Sequence, residues 1–138
     1  MIETITDSAF LKFYINLGFQ AFFAILFLQS GLDKVTDWKG NLDWLTGHFA
    51  RSPLKKTVPL LLATLTVMEV GTGVLALGGI AGLVFYDVEW PAILCLMLAI
   101  ISLLSVFFGQ RIAKDYVGAA GIVPYFVAVM LALFMLAG

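Results

Sequence analysis

Four long apolar runs separated by short polar stretches dominate the pattern of hydrophobic and polar positions along this chain. At about 1.5 Å per residue, each run is long enough to cross most or all of a bilayer core of about 30 Å as an α-helix. The pattern predicts four membrane spans at approximately 10–32, 59–77, 91–108 and 118–136. Because short connections join consecutive spans, the predicted fold is an all-α, up-and-down antiparallel four-helix bundle that forms a single domain over residues 1–138.

The connection after the first span mixes apolar residues with charged ones and is too short and too polar to cross the membrane. Its apolar positions recur at helical spacing and are Leu42, Leu45 and Phe49. Asn41 or Asp43 is a candidate N-cap. The pattern predicts a short amphipathic helix within residues 38–50 that either lies at the headgroups or dips partly into the bilayer.

Composition supports a membrane protein. Hydrophobic residues make up 62% of the chain and charged residues 12%, and the mean hydropathy is +1.03. Soluble domains are nearer half apolar and a quarter charged. The net charge of −1 and the lack of a basic run argue against nucleic acid as a partner.

Glu69 stands near the middle of the second span, where an ionised side chain is expensive. It is therefore expected to face other helices, a partner or a water-filled cavity. Two readings stay open: a structural carboxyl that ties its helix to a neighbour, or a site for a ligand, a proton or a quinone. Burial disfavours the charged form, so the sequence leaves the protonation state undecided.

A polar stripe on the first span is predicted to face the same interior. Asn16 and Gln20 are four residues apart, and the stripe continues at helical spacing through Ala24, Phe27, Gly31 and Lys34. Because Lys34 stands at the membrane boundary, the favoured interpretation of its charge is a snorkelling side chain at the helix end. Gln20 is the expected hydrogen-bond partner of the Glu69 carboxyl. On the second span, the residues that share the face of this carboxyl are Thr66, Thr72 and Gly73.

The chain offers few groups for catalysis or metal binding. Cys95 is the single cysteine, so it cannot form an internal disulfide, and its apolar surroundings predict a small core residue. An interfacial polar role is favoured for His48, because further metal ligands at suitable spacing are lacking. No catalytic residue, redox centre or encoded cofactor is identified. An enzyme acting on its own is therefore not expected.

Basic residues are distributed unevenly over the connections. Seven of the eight lie in the first and third connections or at their edges, whereas only Lys12 lies on the other side. The positive-inside rule places those two connections in the cytoplasm and both termini outside. The expected location is a bacterial inner membrane.

Three short motifs resemble those of the DoxX family of small four-helix membrane proteins, and their order covers nearly the whole chain. They are Gly31-Leu-Asp33-Lys34 at the end of the first span, Glu69 followed by Gly71-Thr-Gly73, and the return that contains Arg111, Lys114, Asp115 and Tyr116. The resemblance implies a four-helix membrane fold. It also implies links to thiosulfate:quinone oxidoreductase subunits and to complexes with thiol-handling or superoxide-removing partners.

Three functions are compatible with these observations. The leading hypothesis is a non-catalytic subunit of a larger inner-membrane complex, respiratory or redox-linked, because packing faces of small residues are abundant and no redox centre is encoded. The second is a quinone-interacting subunit of a thiosulfate:quinone-type oxidoreductase, with the quinone headgroup at Glu69. The third is a small transporter or a proton pathway.

Overall fold

The computed structural model describes residues 2–138, without the side chain of residue 4. Six α-helices account for most of this range, and no strand occurs within it. Their bounds are α1, Ile2–Thr6; α2, Ser8–Thr36; α3, Trp38–His48; α4, Val58–Ala81; α5, Trp90–Ile112; and α6, Tyr116–Ala137. A 3₁₀ turn, Lys55–Thr57, precedes α4, and a π-helical turn, Gly82–Tyr86, follows it.

The four long helices are the ones that the apolar runs predict. Helices α2, α5 and α6, together with the continuous stretch Lys55–Tyr86 around α4, are long and apolar enough to cross a membrane. Each extends a few residues beyond the predicted span at one or both ends. This extension is expected, because helical turns continue past the hydrocarbon region into the headgroups.

Helix α4 lies centrally, packed against α2 on one side and α5 on the other, while α6 packs mainly against α5. Glycines bring α2 and α4 together. A Cβ atom at Gly31 would lie 2.6 Å from Val70 Cγ2, and one at Gly73 would lie 2.6 Å from Leu28 Cγ. Since neither position leaves room for a side chain, backbone and side chain meet directly at this seam.

The main core lies where α2, α4, α5 and α6 meet. Its largest fully buried members are Phe23 and Leu96, and Cys95 is fully buried among them. The prediction of Cys95 as a small core residue is confirmed. The buried face of α2 consists of Asn16, Gln20, Phe23, Ala24, Phe27 and Gly31, so the predicted inward stripe is also confirmed, except that Lys34 is half-buried.

Helix α3 confirms the predicted short helix after the first span. Its apolar face carries the half-buried Leu42 and Leu45 and leads to the buried Phe49. The predicted caps, Asn41 and Asp43, are wrong, because the side chain of Asp37 accepts a hydrogen bond from Gly40 N at 3.3 Å. The helix therefore starts one turn earlier than the spacing of its apolar residues indicated.

Helix α4 continues beyond residue 77, where the second span is predicted to end. Gly78 and Gly79 lie within α4, and the chain turns only at Asp87, which adopts the left-handed conformation with φ of 50°. Gly79 serves close packing instead. A Cβ atom there would lie 3.0 Å from the Ala92 Cα of α5 and 2.5 Å from Gln20 Oε1 of α2.

Candidate functional site

The candidate site is a cluster of three polar side chains across the seam between α2 and α4. Glu69 stands midway along α4, on the face that also buries Thr66, Thr72 and Gly73. Its side chain is 8% exposed. The prediction that this carboxyl faces a packed seam is therefore confirmed.

Lys34 and Ser30 of α2 hold the carboxyl. Lys34 Nζ lies 2.9 Å from Glu69 Oε2, and Ser30 Oγ donates a hydrogen bond of 2.8 Å to the same oxygen. Lys34 Nζ also donates to Ser30 Oγ at 2.8 Å and to the Ser30 carbonyl at 3.3 Å. We call these three residues the Lys34–Ser30–Glu69 cluster.

Local structure explains why these side chains meet. Ser30 and Lys34 are four residues apart, so they lie one above the other on the same face of α2. Between them Gly31 lets Val70, the residue after the carboxylate, approach closely. Lys34 also lies in the last turn of α2, where the helix dipole favours a positive charge.

Because this ion pair is largely buried, it affects stability strongly both when it is intact and when one partner is lost. The Lys34 side chain is 15% exposed, so little water screens the attraction between the two charges. Removing a charge from water is costly, and an opposite charge with well-placed hydrogen bonds offsets that cost. The cluster can therefore hold two helices together, and a change in one partner leaves the other charge without compensation.

Gln20, the predicted partner of Glu69, lies elsewhere. It stands 14 residues before Lys34 in the sequence, about 21 Å along the helix axis, and it approaches Gly79 rather than Glu69. The interpretation of Lys34 as a snorkelling interfacial charge is also wrong, because its ammonium group turns to the carboxylate. The register of the two helices, which span positions alone do not determine, accounts for both differences.

The two threonines of the predicted site turn to their own helix. Thr66 Oγ1 donates to the Leu62 carbonyl at 2.7 Å, and Thr72 Oγ1 donates to the Met68 carbonyl at 2.7 Å. Hydroxyls commonly make this bond within helices, where it satisfies the donor without a partner helix. They share a face with Glu69 but do not bind its carboxyl.

Asn16 and Gln20 are a second pair of polar side chains buried between the helices. Asn16 is 8% exposed and Gln20 is 1% exposed. Among the described residues, Asn16 Oδ1 and Gln20 Oε1 have no hydrogen-bond partner. A buried acceptor without a donor is costly, so these two carboxamides have unused capacity for hydrogen bonds.

The remaining motif residues lie at the helix ends, away from the carboxylate. The Asp33 carbonyl accepts from Asp37 N at 3.0 Å. Asp115 Oδ1 caps α6 by accepting from Gly118 N at 2.9 Å, and the Arg111 guanidinium lies 4.5 Å from the centre of the Tyr116 ring. Lys114 adopts a positive φ of 60° at the turn. Asp33 therefore belongs to the end of α2, and the other four residues shape the third connection.

His48, at the end of α3, lies between an aromatic ring and a carboxylate. Its ring stacks on Trp44 with the ring centres 4.6 Å apart, and its Nε2 lies 3.6 Å from Asp115 Oδ2. Within residues 2–138, no group of three or more histidine, cysteine or acidic side chains is placed to hold a metal ion.

Sequence reasoning missed Ser30. The available signal was its spacing of four residues from Lys34, together with its position beside Gly31 on the inward stripe. A serine at that position is otherwise indistinguishable from a residue that bonds to its own helix.

The comparisons with known proteins return no relative. No family model, no curated protein and no solved structure matches this chain.

Proposed function

We propose that this chain is a non-catalytic membrane subunit that docks into a larger membrane complex. The observation that carries the proposal is the engagement of Glu69 by Lys34 and Ser30 of the same chain. A carboxylate held at 2.8–2.9 Å by two donors is committed to joining α2 and α4. It is correspondingly less available to donate to a quinone or to carry a proton.

A surface groove between α2 and α6 supports docking of another transmembrane helix. The groove has a volume of about 420 Å³ and is lined by Ile15, Gly18, Phe19, Phe22 and Ala128. A Cβ atom at Gly18 would meet no atom within 4 Å. Since glycine weakens a helix and has no packing role here within this chain, its small size suits the close approach of a helix from another subunit.

The proposal includes an arrangement and an orientation. The four spans form an up-and-down antiparallel bundle, which is supported by the order of contacts along the first two spans: Gly31 with Val70, Leu28 with Gly73, and Gln20 with Gly79. The basic connections lie in the cytoplasm of a bacterial cell and both termini lie outside the inner membrane. Membership of the DoxX family and a respiratory or redox-linked complex are part of the same proposal.

Purification in a mild detergent tests the docking function. Gly18→Leu fills the groove and should abolish co-purification of the other subunits without lowering the melting temperature. The matched control is Val67→Phe, which adds bulk at a 72% exposed position of α4 and should leave the complex intact. A monomer with its own turnover would refute the proposal, as would a complex that is indifferent to Gly18→Leu.

The unpartnered carboxamides favour a second candidate, a quinone-interacting subunit. Because Glu69 is engaged, the free hydrogen-bonding groups of the predicted polar site are those of Asn16 and Gln20. The unpartnered atoms, Asn16 Oδ1 and Gln20 Oε1, can accept hydrogen bonds from the hydroxyls of the reduced headgroup, and the carboxamide N–H groups can donate to the carbonyl oxygens of the oxidised one. Gln20→Leu should then weaken quinone binding to the intact complex, whereas Gln29→Leu, at an exposed position of the same helix, should not. Equal binding by both variants would eliminate this candidate.

A further inference from the structure

The first and third connections form one continuous surface. Phe49, buried at the end of α3, lies against Gly109 of α5: a Cβ atom there would be 3.5 Å from Phe49 Cζ. His48 Nε2 lies 3.6 Å from Asp115 Oδ2 at the start of α6. These contacts place the polar residues of both connections at the same end of the helices.

Basic side chains dominate this surface. Six of them are exposed: Lys39, Arg51, Lys55, Lys56, Arg111 and Lys114. None of the six forms an ion pair within residues 2–138, where the acidic partners in ion pairs are Glu69 and Asp115. We call these six residues, with Trp38, Trp44 and Tyr116, the basic end face.

The acidic residues at this end do not neutralise it. They number four: Asp33, Asp37, Asp43 and Asp115. Two of them cap helices through their side chains, Asp37 to Gly40 N and Asp115 to Gly118 N. At the opposite end the balance is reversed, with Lys12 against Glu3, Asp7, Asp87 and Glu89.

Aromatic rings accompany the bases. Trp44 is 61% exposed, Tyr116 is 52% exposed and Trp38 is 37% exposed. Tryptophan and tyrosine favour the level of the lipid headgroups, where one part of the ring is apolar and the other is wet. The Arg111 guanidinium lies 4.5 Å from the centre of the Tyr116 ring, so it is held near that level. Planar, polydentate guanidinium groups are well suited to phosphate oxygens.

We propose that the basic end face binds acidic phospholipids of the bilayer through their phosphate groups. Basic side chains that form no ion pair attract anionic lipid when they lie at headgroup level, and the flanking aromatic rings keep them at that depth. This interaction is separate from docking of other subunits, because the α2–α6 groove shares no residue with the basic end face.

Tryptophan quenching by brominated lipids tests this proposal on the full chain. A Trp90→Phe variant reports the basic end through Trp38 and Trp44. A Trp38→Phe/Trp44→Phe variant reports the opposite end through Trp90. Each is reconstituted into phosphatidylcholine vesicles with a minority of phosphatidylglycerol, and the bromine label is carried by one lipid or the other. Symmetric leaflets make the result independent of orientation.

We expect phosphatidylglycerol to be enriched about fivefold over its bulk share near Trp38 and Trp44, but not near Trp90. The enrichment should disappear when Lys39, Arg51, Lys55 and Lys56 are all changed to Gln, and it should fall as salt is raised. Lys12→Gln, at the opposite end, should leave it unchanged.

Three outcomes would overturn the proposal. The first is equal quenching by both labelled lipids at the basic end, and the second is an enrichment that survives in the fourfold variant. The third is loss of the enrichment in inorganic phosphate but not in chloride of the same ionic strength, which would indicate a site for free phosphate. If the fourfold variant loses a co-purifying acidic protein while the lipid preference stays, the face binds protein instead.

Discussion

Lys34 Nζ lies 2.9 Å from Glu69 Oε2 although the two residues are 35 positions apart in the sequence. Ser30 bonds to both, so three side chains share one hydrogen-bonded contact between α2 and α4. Each charge is buried only because the other is beside it. The seam should therefore respond differently to the loss of one charge and to the loss of both.

Removing one partner of this pair should destabilise the protein. Breaking a buried ion pair by a single substitution typically costs about 3–5 kcal/mol. Lys34→Met should cost more than Glu69→Gln, because Glu69 lies at the middle of α4, whereas Lys34 in the last turn of α2 can extend to the interface. The free energy of unfolding in detergent micelles measures both effects.

The double variant Lys34→Met/Glu69→Gln separates pairing from packing. It should recover much of the stability that Lys34→Met loses, because no uncompensated charge remains. If the double variant lost as much stability as the two single variants together, a direct coupling between these residues would be contradicted. Lys12→Met is a control for the loss of an exposed lysine.

Gly31 should tolerate no larger side chain. A Cβ atom there would lie 2.6 Å from Val70 Cγ2 and 3.0 Å from Val70 N, and because one of these atoms is backbone, the helices would have to move apart. Gly31→Ala should cost about 1–3 kcal/mol of unfolding free energy and should lengthen the Lys34–Glu69 contact. Thermal unfolding measures the loss.

Gly18→Ala is the matched control on the same helix. No atom lies within 4 Å of a Cβ at Gly18, so this variant should be neutral or gain up to about 1 kcal/mol from alanine's greater helix propensity. A gain in stability of the same size at Gly31 as at Gly18 would mean that helix propensity, and not the close approach of α4, decides the effect.

The sequence predicts the helices and the inward faces better than the partners across them. Hydropathy defines the four long helices, and helical spacing defines the buried stripe on α2 from Asn16 to Gly31. Both follow from local periodicity. The partner of Glu69 depends on how far α2 and α4 are shifted along each other, and that shift is determined by glycine contacts and by the conformation of residues 37–57.

Depth in the membrane was the misleading guide. Gln20 and Glu69 are both near the middle of their apolar runs, which favoured pairing between them. The structure places Glu69 beside the last turns of α2, because Gly31 admits Val70 and Gly73 admits Leu28. Such close contacts occur at glycines. Because this apolar sequence contains many glycines, it does not show which of them allow two helices to approach.

Gln20 should be a point of instability in the ligand-free protein. Its Oε1 is buried without a donor among the described residues, and such a group costs about 1–3 kcal/mol. Gln20→Met should therefore raise the melting temperature in detergent, whereas Gln29→Met, at an exposed position of α2, should change it little. A loss of stability in Gln20→Met would mean that the carboxamide already has a bound partner.

Asp115 should contribute to stability mainly as a helix cap. Its Oδ1 accepts from Gly118 N at 2.9 Å, whereas its Oδ2 lies 3.6 Å from His48 Nε2. Asp115→Asn keeps an acceptor for the cap and removes the charge, so it should cost little, because partly exposed ion pairs contribute about 0–1 kcal/mol. Asp115→Ala removes both and should cost about 1 kcal/mol more. Chemical unfolding of the two variants measures the difference. Equal losses would assign the contribution to the contact with His48, and His48→Ala should then cost as much as either variant.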